Sequence, residues 1–167
     1  MIGIIGFGGY LPRLRLSRQA VAQANAWYAP NFASRKGTRA MANWDEDSIT
    51  MAVAAARDCL GSGEDRRHVR AIFLASDTLP FAERMNAGIA AGALGLDDDI
   101  DALDMGGSQR AALSGVVQAV ARVQSGAGNV LGPHVAHESN LLFHNQLCSH
   151  ADVWQRTARI DRLILAY

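Results

Sequence analysis

The sequence predicts an α/β protein with a mostly parallel sheet and helices on both faces. Three observations carry that reading. Short continuous apolar runs recur along the chain ("IGIIGF", "VRAIFLA", "IDALDM", "GNVL"), as expected of strands buried on both sides. Helix-patterned stretches separate them, which argues right-handed crossovers between parallel strands. Finally, 167 residues with 49% hydrophobic side chains suffice for one domain with a substantial core.

The first strand, "IGIIGF", runs into the glycines of "GFGGYLP". A dinucleotide fingerprint would need G-x-G-x-x-G opening a helix, with an acid about 20 residues on. Gly6 and Gly8 fit, but the third position is Leu11, followed by Pro12. The next helix start is Ser17, and the first acid in the chain is Asp45. The glycines are therefore read as turning a buried strand into an extended loop. "SRQAVAQANAW" is a helix with Ser17 as N-cap, and residues 28–44 form a polar, basic loop. "DEDSITMAVAAARDCLG" is the clearest helix, with acids at its start, Ile49, Val53, Ala56 and Leu60 on one face, and Gly61 just past its end.

"VRAIFLA" is the second strand and "NAGIAAGALG" a small-residue helix closed by Gly95. "IDALDM" is the third strand. The long helix of "GGSQRAALSGVVQAVARVQSG" follows, with Ala112, Val116, Val120 and Val123 as its stripe. "GNVL" begins a fourth strand, which Gly132-Pro133 is expected to interrupt. Beyond that point the composition changes, with four of the five histidines (His134, His137, His144, His150) and Cys148. The expected division is therefore residues 1–131 as the folded domain and 132–167 as an atypical tail. A shifted reading frame or a truncated gene would produce such a tail, and its apolar clusters "NLLF" and "RLILAY" are expected to pack poorly.

Net charge is zero but unevenly spread. Residues 1–44 hold Arg13, Arg15, Arg18, Arg35, Lys36 and Arg39 and no acid, whereas 97–104 hold Asp97, Asp98, Asp99, Asp101 and Asp104. The aspartates read as solvated surface. The basic segment reads either as solvated surface or as a site for an anionic ligand, since arginines are good phosphate donors. No basic run is interleaved with aromatics, which argues against nucleic-acid binding. Cys59 and Cys148 give neither a disulfide framework nor a zinc spacing, a pattern that fits a reducing cytoplasm. His134 and His137 with Cys148 match no zinc pattern either, so no metal is expected. No apolar run approaches the ~18 residues of a membrane helix, and no signal peptide is expected.

Two loops should share the C-terminal edge of the sheet, where open parallel sheets bind ligands. One is "LASDTLPF", with Asp77. The other is "LDMGGSQRAALSG", a strand that passes through two glycines into a helix with Ser108 at the turn. A nucleophile there would stand on an elbow beside helix N-terminal amides.

The landmarks "GFGGYLPRLRL", "KGTRAMANWDEDSITMAVAAARDCL", "IFLASDTLPF" and "LDMGGSQRAALSG", taken in order, resemble the start of 3-hydroxy-3-methylglutaryl-CoA synthases. They also resemble ketoacyl synthase III enzymes, within the thiolase superfamily. The resemblance covers about residues 2–131 and implies half of a thiolase-like αβαβα fold. It further implies an acyl-CoA-dependent condensing acyltransferase, incomplete as this chain, or a non-catalytic acyl-CoA-binding or partner subunit. Ser108 stands where the family has its acyl-accepting cysteine, and Asp77 where the hydroxymethylglutaryl-CoA synthases have a catalytic glutamate. Arg35 and Arg39 would hold the CoA nucleotide, with Phe32 in place of a missing tryptophan. The implied partners are acyl-CoA or an acyl carrier protein and a second copy of the chain, with acyl-CoA as substrate and no separate cofactor.

Magnitudes separate serine from cysteine at the elbow. A helix N-terminus stabilises an anion by up to about 2 kcal/mol, or about 1.5 pKa units. That brings a thiol from about 8.5 to near neutrality but leaves a hydroxyl protonated. Ser108 therefore needs a general base, for which Asp77 is the local candidate. A simple helix cap at Ser108 and a loop aspartate bonding nearby amides at Asp77 are the plainer readings.

Overall fold

In the computed structural model the described residues are 3–28, 30, 36–61, 64–108, 110–133 and 162–166. They fall into two compact units, one of residues 11–47 and the other of residues 1–10 with 48–167.

The larger unit is a five-stranded sheet. Its strands are β1 (Gly3–Gly8), β4 (Val69–Ala75), β5 (Asp101–Met105), β6 (Asn129–Pro133) and β7 (Arg162–Ala166). They lie in the order β1-β7-β6-β4-β5, and every neighbouring pair is parallel. Helices α2 (Ser48–Leu60) and α3 (Asn86–Leu94) cover one face and α4 (Ala111–Gln124) the other. The two faces have separate cores. Ile72, Leu74 and Leu131 pack with Ile49, Val53, Leu60 and Leu94 on one side, and Ala71, Phe73 and Val130 with Ala119 and Val123 on the other. Alternation along β4 is what feeds both cores.

The helices end as their sequences indicate. Gly61 and Gly95 adopt the left-handed conformation at φ 52° and 65°, and the Leu96 amide reaches back to the Ala91 carbonyl at 3.1 Å. Gly8 has a different task. A Cβ there would lie 2.5 Å from the Ala55 carbonyl oxygen and 2.7 Å from the Cys59 Cα, so the bare backbone lets α2 rest directly on β1. Next to it, the Gly9 amide donates to Asp58 on the same helix at 2.9 Å. The glycine cluster is thus a helix-packing device.

The smaller unit pairs β2 (Leu14–Ser17) antiparallel with β3 (Thr38–Met41), and α1 (Arg18–Ala24) follows β2 directly. Ser17 caps α1, its hydroxyl accepting from the Ala20 amide, as the sequence predicts.

Several expectations are corrected. Among the described residues β1 lies at the sheet edge instead of being buried, and Phe7 is 84% exposed. The segment read as loop contains β3, because a four-residue strand between polar neighbours carries no periodicity signal. The buried line of α4 is Ala111, Gly115, Ala119 and Val123, so of the expected stripe Val123 is buried and Val116 packs at the margin, while smaller side chains replace the other positions and bring the helix closer to the sheet. β6 continues through Gly132 and Pro133, which pair with Leu165 and Ala166. Of the two apolar tail clusters, "RLILAY" supplies β7, paired on both sides, so the expectation of poor packing fails for its backbone. "NLLF", the four tail histidines and Cys148 lie outside the described residues.

Candidate functional site

β4 and β5 are parallel neighbours, so the chain leaves both at the same edge of the sheet. Ser76 follows β4 and Gly106 follows β5. The Ser76 amide donates to the Met105 carbonyl at 2.9 Å, and a Cβ on Gly106 would sit 3.1 Å from the Ser76 carbonyl oxygen. The two loops are therefore laced together at their roots.

Each loop has a sequence reason for its shape. Gly107 has φ +71°, a left-handed conformation that branched or bulky side chains resist, and it turns the chain toward α4. Ser108 follows at the exposed tip. Its hydroxyl accepts the Arg110 amide at 3.1 Å, while the Ala111 amide bonds to the Ser108 carbonyl at 3.0 Å. Ser108 thus stands three residues ahead of α4, in a side-chain-closed turn, and the cap position belongs to Arg110. That arrangement uses one acceptor lone pair of the hydroxyl and leaves its proton available.

The loop after β4 is anchored by hydroxyls. Ser76 and Ser48 are buried, and with Thr78 they form a closed cluster. Ser48 Oγ lies 2.7 Å from Thr78 Oγ1, Ser76 Oγ lies 3.1 Å from Thr78 Oγ1, and the Ser48 and Ser76 hydroxyls are 3.3 Å apart. The Ser48 hydroxyl also donates to the Thr78 carbonyl at 2.9 Å. Asp77 sits between these anchored residues with its side chain exposed. No hydrogen bond joins Asp77 to Ser108. The structure brings their loops together without pairing the two side chains.

The far end of the same loop is held by residues that sequence reasoning missed. Asn86, buried at 1% exposure, accepts the Phe81 amide at 3.0 Å and donates to the Phe81 and Arg84 carbonyls at 2.9 and 3.2 Å. Asp104 of β5 accepts the Asn86 and Ala87 amides at 2.7 and 2.6 Å and the Asn86 side-chain amide at 2.8 Å. A solvated role had been expected for Asp104, and that is corrected. Its neighbours do lie at the surface, Asp97 opposite Arg70 at 3.5 Å and Asp101 paired with Arg122. No local signal marked this, because Asn86 in "RMNAGIAAGAL" reads as the helix's own cap, whereas in the structure its side chain is turned to Phe81 and Arg84, and Met85 at the cap makes no side-chain bond. Asp104 takes the place of the missing local cap.

Arg39 lies in β3, opposite Leu16, and not in a turn. It belongs to the smaller unit, whereas Asp77 and Ser108 belong to the larger. Arg35 and Phe32 lie outside the described residues. An open concavity of about 500 Å³, lined by Ile5, Arg67, His68, Arg70, Gly128 and Asn129, sits at the start of β4 and β6, the opposite edge from Asp77 and Ser108. Among the described residues no His, Cys, Asp or Glu cluster is arranged to hold a metal, and no helix is long and apolar enough to cross a membrane.

Comparison with known proteins accords with this geometry. The chain is 31% identical over 131 residues to hydroxymethylglutaryl-CoA synthase of Methanocaldococcus jannaschii, a match covering 75% of this chain and 37% of that protein. Its fold superimposes on a 3-oxoacyl-(acyl-carrier-protein) synthase III with a TM-score of 0.67 and 24% identity, over 78% of this chain and 40% of that one. The corresponding synthase of Pseudomonas aeruginosa gives 0.62 at 27% identity, over 76% and 39%. The chain carries the N-terminal part of a thiolase-like fold. No protein-family model matches it. This thiolase-like chain spans little more than a third of the length of the curated relatives it matches, and the resemblance to condensing enzymes read from its landmarks holds.

Proposed function

We propose that the chain is the acyl-accepting part of a thiolase-fold condensing acyltransferase of the hydroxymethylglutaryl-CoA synthase or ketoacyl synthase III kind. The observation that carries this is the lacing of two loops at the ends of adjacent parallel strands, with Ser108 exposed on a glycine elbow ahead of α4. In this reading the Ser108 hydroxyl attacks the thioester carbonyl of an acyl-CoA. Asp77 takes the hydroxyl proton and returns it to the departing sulfur, so that CoA leaves as the thiol and an acyl ester remains on Ser108. Those amides in the first turn of α4 that the Ser108 turn does not already use receive the developing negative charge. The assignments of Arg35, Arg39 and Phe32 to the CoA nucleotide rest on the resemblance, as do acyl carrier protein as an alternative donor and a second copy of the chain as partner, while a cytoplasmic setting rests on the cysteine usage.

A second reading has an observation of its own. Ser108 has no base within hydrogen-bond reach among the described residues, and its oxygen already accepts the Arg110 amide. That favours a subunit which binds acyl-CoA without chemistry. Intact-mass measurement after incubation with acetyl-CoA separates the two. An acetyl adduct mapping to Ser108, and absent from Ser108→Ala, is expected for the acyltransferase. Saturable acetyl-CoA binding without an adduct would establish the binding subunit instead, and neither adduct nor binding would sink both.

A further inference from the structure

We infer that Asp104 is a positioning residue that makes the Asp77 loop and the Ser108 elbow a single rigid piece. The inference rests on reading those loops as the acyl-handling site, and the network itself carries it. Asp104 is the penultimate residue of β5, four positions before Ser108. Its two carboxylate oxygens take three N–H groups: the Asn86 and Ala87 amides and the Asn86 side chain. Through Asn86 the grip extends to the Phe81 amide and carbonyl and to the Arg84 carbonyl. The other root of the loop is bonded to the next residue of the same strand, from the Ser76 amide to the Met105 carbonyl. Both ends of the loop carrying Asp77 are thus tied to Asp104 and Met105, and the elbow begins at Gly106.

A carboxylate is the side chain this position requires. The first amides of α3 are orphan donors at the positive end of the helix, and charge-assisted bonds to them are short and strong. An amide side chain of the same shape offers one acceptor oxygen and turns an NH2 group toward donors, leaving at least one amide unpaired. Serving α3 alone would require no more than a local Ser or Asp at the cap. Recruiting the carboxylate from β5 also ties the far end of the Asp77 loop, through Asn86, to the strand that leads into the Ser108 elbow.

The test is hydrogen exchange read by mass spectrometry on the whole chain, comparing wild type, Asp104→Asn and Asn86→Ala. In Asp104→Asn, exchange should rise by about tenfold in peptides covering residues 77–85 and in the 106–112 elbow, while β6 stays protected. A rise confined to residues 86–90 would reduce Asp104 to a helix cap and overturn the inference. If Asp104→Asn does not fold, Asn86→Ala decides. That variant removes the bonds to Phe81 and Arg84 and keeps the Asp104 bonds to the amides of residues 86 and 87. Faster exchange at 77–85 with a protected α3 start is expected, and an unchanged loop would overturn the inference. Acetyl-CoA titration of the same samples keeps the questions apart. A wild type that does not bind refutes the functional reading and leaves the exchange result standing, whereas a binding wild type with an unresponsive loop refutes the positioning role alone.

Discussion

Replacing Gly8 by alanine puts one methyl group where α2 meets β1. The added Cβ would lie 2.5 Å from the Ala55 carbonyl oxygen and 2.7 Å from the Cys59 Cα, against the about 3.5–4.0 Å of ordinary carbon contacts. Relief needs roughly 1 Å of separation, and both obstacles are backbone, so no rotamer change supplies it. α2 cannot simply retreat, because Ile49, Val53 and Leu60 are buried in the core it shares with α3 and β4. Overpacking of this kind costs about 1–3 kcal/mol, and the upper end is expected here. At about 2–4 °C per kcal/mol for a chain of this size, Tm should fall by about 6–12 °C. Gly6→Ala is the internal control, because its Cβ would meet the Cys59 Sγ at 3.5 Å and the Cys59 carbonyl oxygen at 3.8 Å, both unstrained. Thermal melts of the three proteins followed by circular dichroism are the assay. Equal melting of Gly8→Ala and wild type would refute the close-approach argument, and equal losses in both variants would point to a shared role of the glycines, such as ligand binding.

Three further outcomes are expected. Ser108→Cys should react with iodoacetamide near neutral pH faster than Cys59, which is half-buried on α2, because the new thiol would be exposed beside helix amides; equal labelling rates would remove the elbow argument. The exposed apolar side chains Leu113 and Val117 of α4 and Phe7 of β1 suit association, so sedimentation at micromolar concentration should show a dimer or larger species, and a clean monomer would count against it. We also propose that the change of composition after residue 131 marks a shifted reading frame. Translating the coding DNA in the other two frames should then recover an apolar strand and a family-like continuation, and finding neither would make the tail native sequence.

What was readable in the sequence is what local pattern determines. β4 was read to the residue, from Val69 to Ala75, since a strand buried on both faces is a continuous apolar run. α2 and the glycine stop of α3 followed from periodicity and from the one residue that adopts αL freely. The two loops were placed at one edge because parallel connectivity leaves no other choice. The details that hold those loops were not readable. Asp104 sits in a run of aspartates and looks like its solvated neighbours. Its partners on α3 are 17 and 18 positions away, and no one-dimensional pattern couples them. The hydroxyl cluster joins Ser48 to residues 28 and 30 positions later, and serines are too common for their spacing to signal a contact. The core face of α4 was only partly read, for a related reason. Branched residues were assigned to its core face, while Gly115 lies against Met105 and Ala75.

The position of β1 has a consequence for assembly. Its single strand neighbour among the described residues is β7, so Gly3 at one end of the chain pairs with Arg162 near the other. The bonds that fix the Asp77 and Ser108 loops all lie within residues 48–111 and are complete once α4 has begun to emerge from the ribosome. β1 is made before the rest of this sheet, rests against α2 through Gly8, and gains its hydrogen-bonded partner only when β7 arrives. Pairing across so large a sequence separation is the slow, high-contact-order part of such a fold. A nascent chain stopped near residue 133 would therefore hold its candidate site in place while its first strand still lacked a neighbour in the sheet.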